Sequence, residues 1–336
     1  MILLSHAKPE RDLYYGEEAL ARLRKLDEVR LNESGRPLAG TELAAAARGC
    51  RIMVGDSKAT ADRAFFAAVP DLAAYVHGHV DLSRIDVEAA SANGILVTHA
   101  SAGFGAAVAE LVVALMIDLA RGLTAFASRY RAGQELQPYV GRQLSGSTIG
   151  IMGYGHIIGY GHIGRRLAGI AAAIGMRVIV ADPYQEVPAG RAVEQVTLPA
   201  LLAEADFVVP LAVATPETRN LINAEALARM RRTAFLVNVS RGDLVDETAL
   251  EHALDQGIIA GAALDVGMAP FQMPSPRLAA RQDVIATPHV GGLTPESLNH
   301  QAFETVTQVA VILSGTIPPG AANAGHAKRL KIRASA

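Results

Sequence analysis

Between Gly153 and Gly164 the chain reads Gly-Tyr-Gly-His-Ile twice, six positions apart, and only the second copy, Gly159-Tyr160-Gly161-His162-Ile163-Gly164, completes a G-x-G-x-x-G pattern. An apolar strand, Thr148 to Met152, precedes it, and a small-residue helix, His162 to Ile174, follows. Glycines in that setting allow a tight turn, close approach of backbone to a pyrophosphate and close helix–strand packing. The helix N-terminus then stabilises the anion. Met176 to Ala181 reads as the next buried strand, and Asp182 ends it, 18 residues after Gly164. Its carboxylate suits a ribose 2′,3′-diol and repels a 2′-phosphate, which favours NAD over NADP. The cofactor-binding candidates here are Gly159, Gly161, His162, Ile163, Gly164 and Asp182.

The repeat conflicts with the strand. The strand ends at Met152, beside the first copy, which carries Ile158 where a third glycine belongs. Either six residues are looped out before the working turn, or residues 153–158 are drawn into the strand. The second arrangement has poor strand propensity and buries His156, so the looped-out arrangement is favoured. In both, extra backbone lies near the pyrophosphate site and can hinder cofactor binding.

The rest of the chain alternates strand and helix. Strands are expected at Ile2 to Leu4, at Val29 and Leu31, and over Arg51–Gly55, Leu72–Val76 and Gly94–Thr98. Helices are expected over Glu17–Leu26, from a Thr41 cap to Ala47, and over Ala61–Val69. One long helix, Ala106 to Phe126, leads into the second series. That series has six strands: Thr148–Met152, Met176–Ala181, Phe207–Val209, Ala234–Val237, Ile258–Leu264 and Val284–Ala286. Apolar strands alternating with amphipathic helices argue for parallel sheets covered on both faces. The fold class is α/β with two domains. A final helix, Pro295 to Leu313, opens on Thr294-Pro295 and carries Leu298, Ala302, Val306 and Val309 along one face. It can return to the first domain.

Composition excludes several classes. With 336 residues, half of them hydrophobic, 19% charged and no Trp, the cores are aliphatic. The net charge of -2 offers no broad attraction to nucleic acid. The basic run Lys328 to Arg333 reads as a terminal tail. Cys50 is the sole cysteine, which suits a reducing compartment. There is no basic leader, and no apolar run approaches the roughly 18 residues of a membrane span. A cytoplasmic location is expected.

Three further clusters follow strand ends, where ligands bind in open α/β sheets. Arg241, in Val237-Asn238-Val239-Ser240-Arg241-Gly242, offers a planar fork for a carboxylate and a carbonyl oxygen, or serves as a structural arginine. His289, in Thr287-Pro288-His289-Val290-Gly291-Gly292, can move a proton near neutral pH, or sit as a cap or core histidine. Asp265, after Leu264, suits a nicotinamide ribose or amide, or simply closes a turn. No metal-ligand set is read.

These segments in this order, together with Gly94-Ile95-Leu96-Val97-Thr98 and Val108-Ala109-Glu110, resemble the D-isomer-specific 2-hydroxyacid dehydrogenase family from about Ile52 to Gly315. The resemblance implies two Rossmann-like domains: a doubly wound nucleotide domain over 101–295, and a smaller flavodoxin-like catalytic domain from 1–100 plus 296–336. It implies a substrate held between them and a homodimer. It gives Arg241 as the group orienting a small 2-oxo acid and His289 as the acid/base. Asp182 becomes the adenosine-ribose acid. Leu211, Asn238, Val239 and Asp265 become nicotinamide-side contacts, and His79, Val80 and Asp81 the substrate loop. The reaction implied is NAD-dependent interconversion of a small D-2-hydroxy acid and its 2-oxo acid, such as glyoxylate or hydroxypyruvate.

Two departures bear on this. The family's Glu-Pro, whose glutamate pairs with the histidine, is Ala269-Pro270 here. An alanine cannot orient His289 or hold its proton by charge pairing. The family's Gly-x-Gly substrate loop is His79-Val80-Asp81, where Asp81 adds a negative charge that Arg84 or Lys58 must offset. A non-enzymatic NAD(H)-responsive regulator, or a catalytically impaired member, are the alternatives.

Overall fold

A computed structural model describes residues 1–336 apart from 57, 136, 138, 139, 154–159, 185, 188–192 and 331–336. The chain divides into two compact units, Met1–Gly103 together with the stretch from Thr294 onward, and Phe104–Leu293.

Unit 1 holds β1 (Ile2–Leu4), β2 (Val29–Leu31), β3 (Ile52–Gly55), β4 (Ala74–His77) and β5 (Leu96–His99). They form one parallel sheet in the order β2-β1-β3-β4-β5, the flavodoxin-like order, with its reversal between β1 and β3. β1, β3 and β4 are buried along their whole length. That is why their sequences are continuous apolar runs rather than alternating ones. The helix Pro295–Leu313 belongs to this unit. Thr294 caps it by accepting from the Ser297 amide. Ala302, Val306, Val309 and Ile312 join Ile2, Leu4, Ile52 and Val54 in one core. Each large aliphatic so buried stabilises the unit by about 1.5–3 kcal/mol.

Unit 2 holds β6 (Thr148–Met152), β7 (Arg177–Ala181), β8 (Glu194–Gln195), β9 (Phe207–Pro210), β10 (Phe235–Asn238), β11 (Gly261–Leu264) and β12 (Val284–Ala286). Their parallel order is β12-β11-β10-β9-β6-β7-β8. This is a doubly wound sheet whose order reverses between β6 and β9. Both faces are buried: Ile149, Ile151, Phe207, Val209 and Val237 point into one core, while Met152, Val208, Leu236 and Leu264 point into the other.

Several boundaries differ from the sequence expectation. The sheet has seven strands rather than six, because the two polar, exposed residues of β8 pair with Ile179 and Val180. Two residues carry no periodicity. The long helix is broken into Gly105–Arg121 and Leu123–Arg131, since Gly122 takes the left-handed conformation at φ 65. The helix Gly40–Ala47 starts from Ala39, with no side-chain cap from Thr41. β4 begins at Ala74 rather than Leu72, and β11 at Gly261 rather than Ile258. The Ile258 amide instead bonds back to Ala253 of the preceding helix.

Candidate active site

In unit 2 the residues singled out by sequence stand where strands end. β6 stops at Met152, and the next residue is not in the copy expected to work. Gly153 has φ 90, and its amide donates to the Ala181 carbonyl at 3.0 Å. A Cβ there would lie 2.8 Å from the Ala212 amide nitrogen and 3.0 Å from the Leu211 carbonyl carbon. Only glycine fits that space and that φ. Gly164, in the helix Tyr160–Ile174, approaches the same point, since a Cβ on it would be 3.1 Å from the Gly153 carbonyl oxygen. Gly159 lies outside the described residues, so its expected role is not seen here. Gly161 falls within the helix, which opens at Tyr160, two residues before the expected start. Ile163 is buried with Ile151, Leu167 and Ala168. His162 is exposed, and its Cβ lies 3.5 Å from where a Gly105 Cβ would stand.

Asp182 follows β7, and its Oδ1 accepts from the Tyr184 amide at 2.9 Å. The glycine-tight junction of Gly153, Gly164 and Leu211-Ala212, with a carboxylate at the neighbouring strand end, fits an adenine dinucleotide. Gly153 and Gly164 let the end of β6, the residues after β9 and the helix pack backbone to backbone, and Asp182 stands at the end of the neighbouring strand. Leu211 and Val239 direct their side chains into the core, so only their backbone is available to a ligand.

The ends of β10, β11 and β12 are tied together. Asn238 Oδ1 accepts from the Ser240 amide at 3.1 Å, and its Nδ2 donates to the Arg241 carbonyl at 2.9 Å. The buried Asn238 side chain therefore braces the turn that presents Arg241. Arg241 is half-buried, and its Nη1 donates to the Ser240 carbonyl. Gly242 lies against the turn after β11, where a Cβ would be 2.3 Å from the Gly267 carbonyl group.

Asp265 is almost fully buried. Its Oδ1 accepts from Thr287 Oγ1 at 2.6 Å and from the Val290 amide at 2.8 Å, and its Oδ2 accepts from the Gly291 amide at 2.8 Å. All three donors belong to the turn carrying His289, which adopts φ 57. A non-glycine residue in that region is uncommon and held by its surroundings. This grip on the histidine turn is absent from the sequence reading, which offers Asp265 as a cofactor contact or a turn acid.

Ala269 lies in extended backbone, with its amide bonded to the Met273 carbonyl. The carboxylate bracing that segment is Glu247, whose Oε1 accepts from the Met268 amide at 2.9 Å.

In unit 1 the strand ends carry imidazoles. Ser5 and His6 follow β1, Asp56 follows β3, His77 ends β4, and His79, Val80 and Asp81 follow it. Burial drives His6 down to about 4, against the opposing pull of Asp56. Burial, with His79 close by, drives His77 down to about 3. His79 is lowered by burial as well. Burial alone would raise Asp56, but the His6 charge and the hydrogen bonds from Ser5, Lys58 and Ala59 outweigh it and hold the carboxyl below its usual value. His77 also bonds to the Asp81 backbone. Asp81 is exposed and accepts from the Ser83 amide at 2.8 Å. Lys58, one of the two cations expected to offset Asp81, is held by Glu10 at 2.8 Å, and Arg84, the other, is exposed. Sequence reading passed over His6, Asp56 and His77. Among the described residues no cluster suits a metal ion, and no helix is long and apolar enough to cross a membrane.

Comparison with known proteins agrees with this geometry. Residues 113–291 match the family described as D-isomer specific 2-hydroxyacid dehydrogenase, NAD binding domain. A D-3-phosphoglycerate dehydrogenase of Synechocystis is 38% identical over 73% of this chain and 43% of its own length. One from Methanocaldococcus jannaschii is 33% identical over 91% of this chain and 57% of its own. The chain thus spans about half the length of these relatives. Among solved structures, a Thermus thermophilus protein superposes with a TM-score of 0.83 at 31% identity, covering 96% of this chain and all of that one. The apo D-lactate dehydrogenase of Escherichia coli gives 0.79 at 25%, covering 96% of this chain and 99% of that one. The family match covers more than half of the sequence, and the chain belongs to the D-isomer specific 2-hydroxyacid dehydrogenase family.

Proposed function

We propose that the chain is an NAD-dependent oxidoreductase that interconverts a small D-2-hydroxy acid and its 2-oxo acid. The observation that carries this reading is the succession of Arg241, Asp265 and His289 after β10, β11 and β12, neighbours in one sheet, with Asp265 gripping the His289 turn. NADH, when bound, supplies the hydride. Gly153, Gly161 and Gly164, with the helix N-terminus, hold the pyrophosphate, and Asp182 takes the adenosine ribose. Arg241 binds the substrate carboxylate and carbonyl oxygen with its two-pronged guanidinium. His289 gives its proton to that oxygen in reduction and takes it back in oxidation. In unit 1 the loop His79-Val80-Asp81 offers backbone amides to a substrate carboxylate.

The substrate class follows from the charges around that loop. His77 and His79 are kept neutral by burial, Asp81 is a carboxylate, and Lys58 is already paired with Glu10. Arg84, the remaining cation of the loop, is exposed and is balanced in charge by Asp81, which leaves no net positive charge there for a phosphate dianion. This favours compact monoanions such as glyoxylate and hydroxypyruvate over the phosphorylated acid named for the D-3-phosphoglycerate dehydrogenases. We further propose a homodimer, supported by the exposed Ile117, Leu123, Tyr130 and Val140 between residues 105 and 142.

NADH oxidation over a panel of glyoxylate, hydroxypyruvate and 3-phosphohydroxypyruvate, beside a direct NADH titration, tests the reading. Turnover with the first two supports it. Preference for the phosphorylated acid removes the substrate assignment. Ala269 favours a second reading, an NAD(H)-responsive regulator, and tight NADH binding with no turnover on any acid selects it.

A further inference from the structure

The turn that presents Arg241 rests on a stack of backbone that ends at one carboxylate. Gly242 packs against Gly267: a Cβ on Gly242 would lie 2.3 Å from both the carbonyl carbon and the carbonyl oxygen of Gly267. Gly267 is enclosed in its turn, since a Cβ on it would lie 2.6 Å from Pro274 Cα and 2.7 Å from both the Met273 carbonyl oxygen and Glu247 Oε1. Backbone meets backbone at both glycines, so no side chain lies between to take up a shift. The stretch 267–273 is a tight reversal. The Gly267 amide donates to the Gln272 carbonyl at 2.9 Å and the Ala269 amide to the Met273 carbonyl at 3.0 Å, with Gln272 at φ 59. Glu247 ties that reversal to the Arg241 turn. It opens the helix Glu247–Asp255, whose first amides are taken by Asp246: its Oδ1 accepts from Thr248 and Ala249. The helix is therefore capped without Glu247. The Glu247 Oε1 instead accepts from the Met268 amide at 2.9 Å, 21 positions along the chain.

We propose that Glu247 is a positioning residue for Arg241. By holding the Met268 amide it fixes Gly267 against Gly242, and so fixes the backbone from which the guanidinium is presented. Glu247 touches no substrate itself. Asn238 braces the same turn at the Arg241 carbonyl, so the turn is held at two points, one by a strand-end amide and one by a carboxylate acting through two glycines. A guanidinium meets a carboxylate and a carbonyl oxygen through a fixed fork, and a misplacement of about 1 Å costs up to about a hundredfold in rate. Met268 is exposed, so water takes the place of the carboxylate when Glu247 is removed. What is lost is position rather than stability. This rests on the role proposed above for Arg241.

Steady-state reduction of glyoxylate, hydroxypyruvate or 3-phosphohydroxypyruvate, whichever the parent reduces best, is measured for Glu247→Ala, Glu247→Asp and Glu247→Gln, with NADH titration and melting of each. Glu247→Ala is expected to raise KM for the acid about tenfold or more, with kcat changed less and with NADH Kd and Tm near those of the parent. Glu247→Asp keeps the charge but falls one methylene short of Met268, and should behave as Glu247→Ala does; it decides the matter if Glu247→Ala does not fold. Glu247→Gln keeps an oxygen acceptor at full reach and should stay within about threefold of the parent. In an Arg241→Gln background, Glu247→Ala should add nothing to KM, because both changes act on one group. An unchanged KM in both shortened variants overturns the inference while leaving the functional reading intact. So does a Glu247→Gln as poor as Glu247→Ala, which would make charge rather than the acceptor the agent. So does a loss that adds to that of Arg241→Gln, or a fall in Tm with KM intact. No turnover of any acid by the parent overturns the functional reading itself, and this inference with it.

Discussion

In unit 1 the carboxyl ends of β1, β3 and β4 carry His6, Asp56 and His77, all buried; in unit 2 the ends of β6, β7, β10 and β11 carry Gly153, Asp182, Asn238 and Asp265. Both sheets are parallel and wound in both directions, so both face the same difficulty of seating polar groups where strands stop. Unit 1 meets it by desolvation, with imidazoles held neutral by burial and Asp56 satisfied by Ser5 and by the amides of Lys58 and Ala59. Unit 2 meets it by geometry. Asp265 and Asn238 are saturated by the turns they hold, and those turns present Arg241 and His289. Desolvation makes a unit sensitive to protons. Saturation makes a site sensitive to the loss of one side chain.

The largest expected effect breaks the second arrangement. Asp265→Ala leaves the Val290 and Gly291 amides and the Thr287 hydroxyl without their acceptor, and His289 loses the frame that holds it at a positive φ. General acid catalysis contributes about 10²–10⁴-fold. Asp265→Ala is expected to lose most of the rate that His289→Gln loses, with kcat/KM down by at least about a hundredfold and the NADH Kd changed far less. Steady-state kinetics beside NADH titration decides this. A kcat/KM within a fewfold of the parent means the turn holds itself.

The next effect is on unit 1. In the folded unit His6 takes up a proton only near pH 4 and His77 only near pH 3, whereas in the unfolded chain both do so near 6.5. Between those limits the unfolded chain binds more protons. Stability from these residues is therefore complete above about pH 6.5 and is lost progressively as pH falls toward 4 for His6 and toward 3 for His77, on the order of 3–5 kcal/mol for each imidazole. Hydrogen exchange at pH 7.5 and 5, read on peptides of each unit, should show β1, β3 and β4 losing protection ahead of β6, β10 and β11. Loss in step across both units would erase the contrast. His77→Gln should shrink the acid dependence of unit 1, leaving the share of His6.

Much of this is legible in the sequence, and unevenly so. Buried parallel strands write themselves as apolar runs, so eleven of the twelve described strands appear in the sequence, while β8 is two polar residues on an edge. The last helix is readable to the residue from Thr294-Pro295, because a cap and a fixed φ are local chemistry. The break at Gly122 is not, since a glycine within an apolar pattern is tolerated as often as it terminates. Arg241, Asp265 and His289 can be picked out because each follows a strand. What Asp265 does cannot, since its partners lie more than twenty residues away. The imidazole cluster of unit 1 escapes for the same reason: His6, Asp56 and His77 are joined only by the order β1-β3-β4.

A smaller effect separates Asp182 from the carboxylates that brace turns. Asp182 follows a strand as Asp265 does, but its Oδ1 accepts from its own turn, at the Tyr184 amide. Asp182→Ser removes the charge that repels a 2′-phosphate. The ratio of kcat/KM for NADPH over NADH should rise about tenfold or more, worth about 1.4 kcal/mol, with little change in Tm. An unchanged ratio would assign Asp182 to the turn alone.

The smallest expected effect concerns Ala269, where the resemblance to the family implies a glutamate. Its amide is committed to Met273, and Glu247 is committed to the Met268 amide, so the segment is already shaped without a charge at 269. Backbone geometry therefore gives Ala269→Glu no reason to fail in folding. A carboxylate facing a protonated imidazole favours the charged form, and reduction needs His289 in that form. The variant should extend the alkaline limb of the reduction profile to higher pH and raise kcat/KM by up to about tenfold. Its gain must vanish when Asp265→Ala is added, because a histidine released from its turn cannot profit from a partner. A gain that survives in the double variant would mean that the introduced carboxylate positions His289 by itself, and that the grip of Asp265 is structural only.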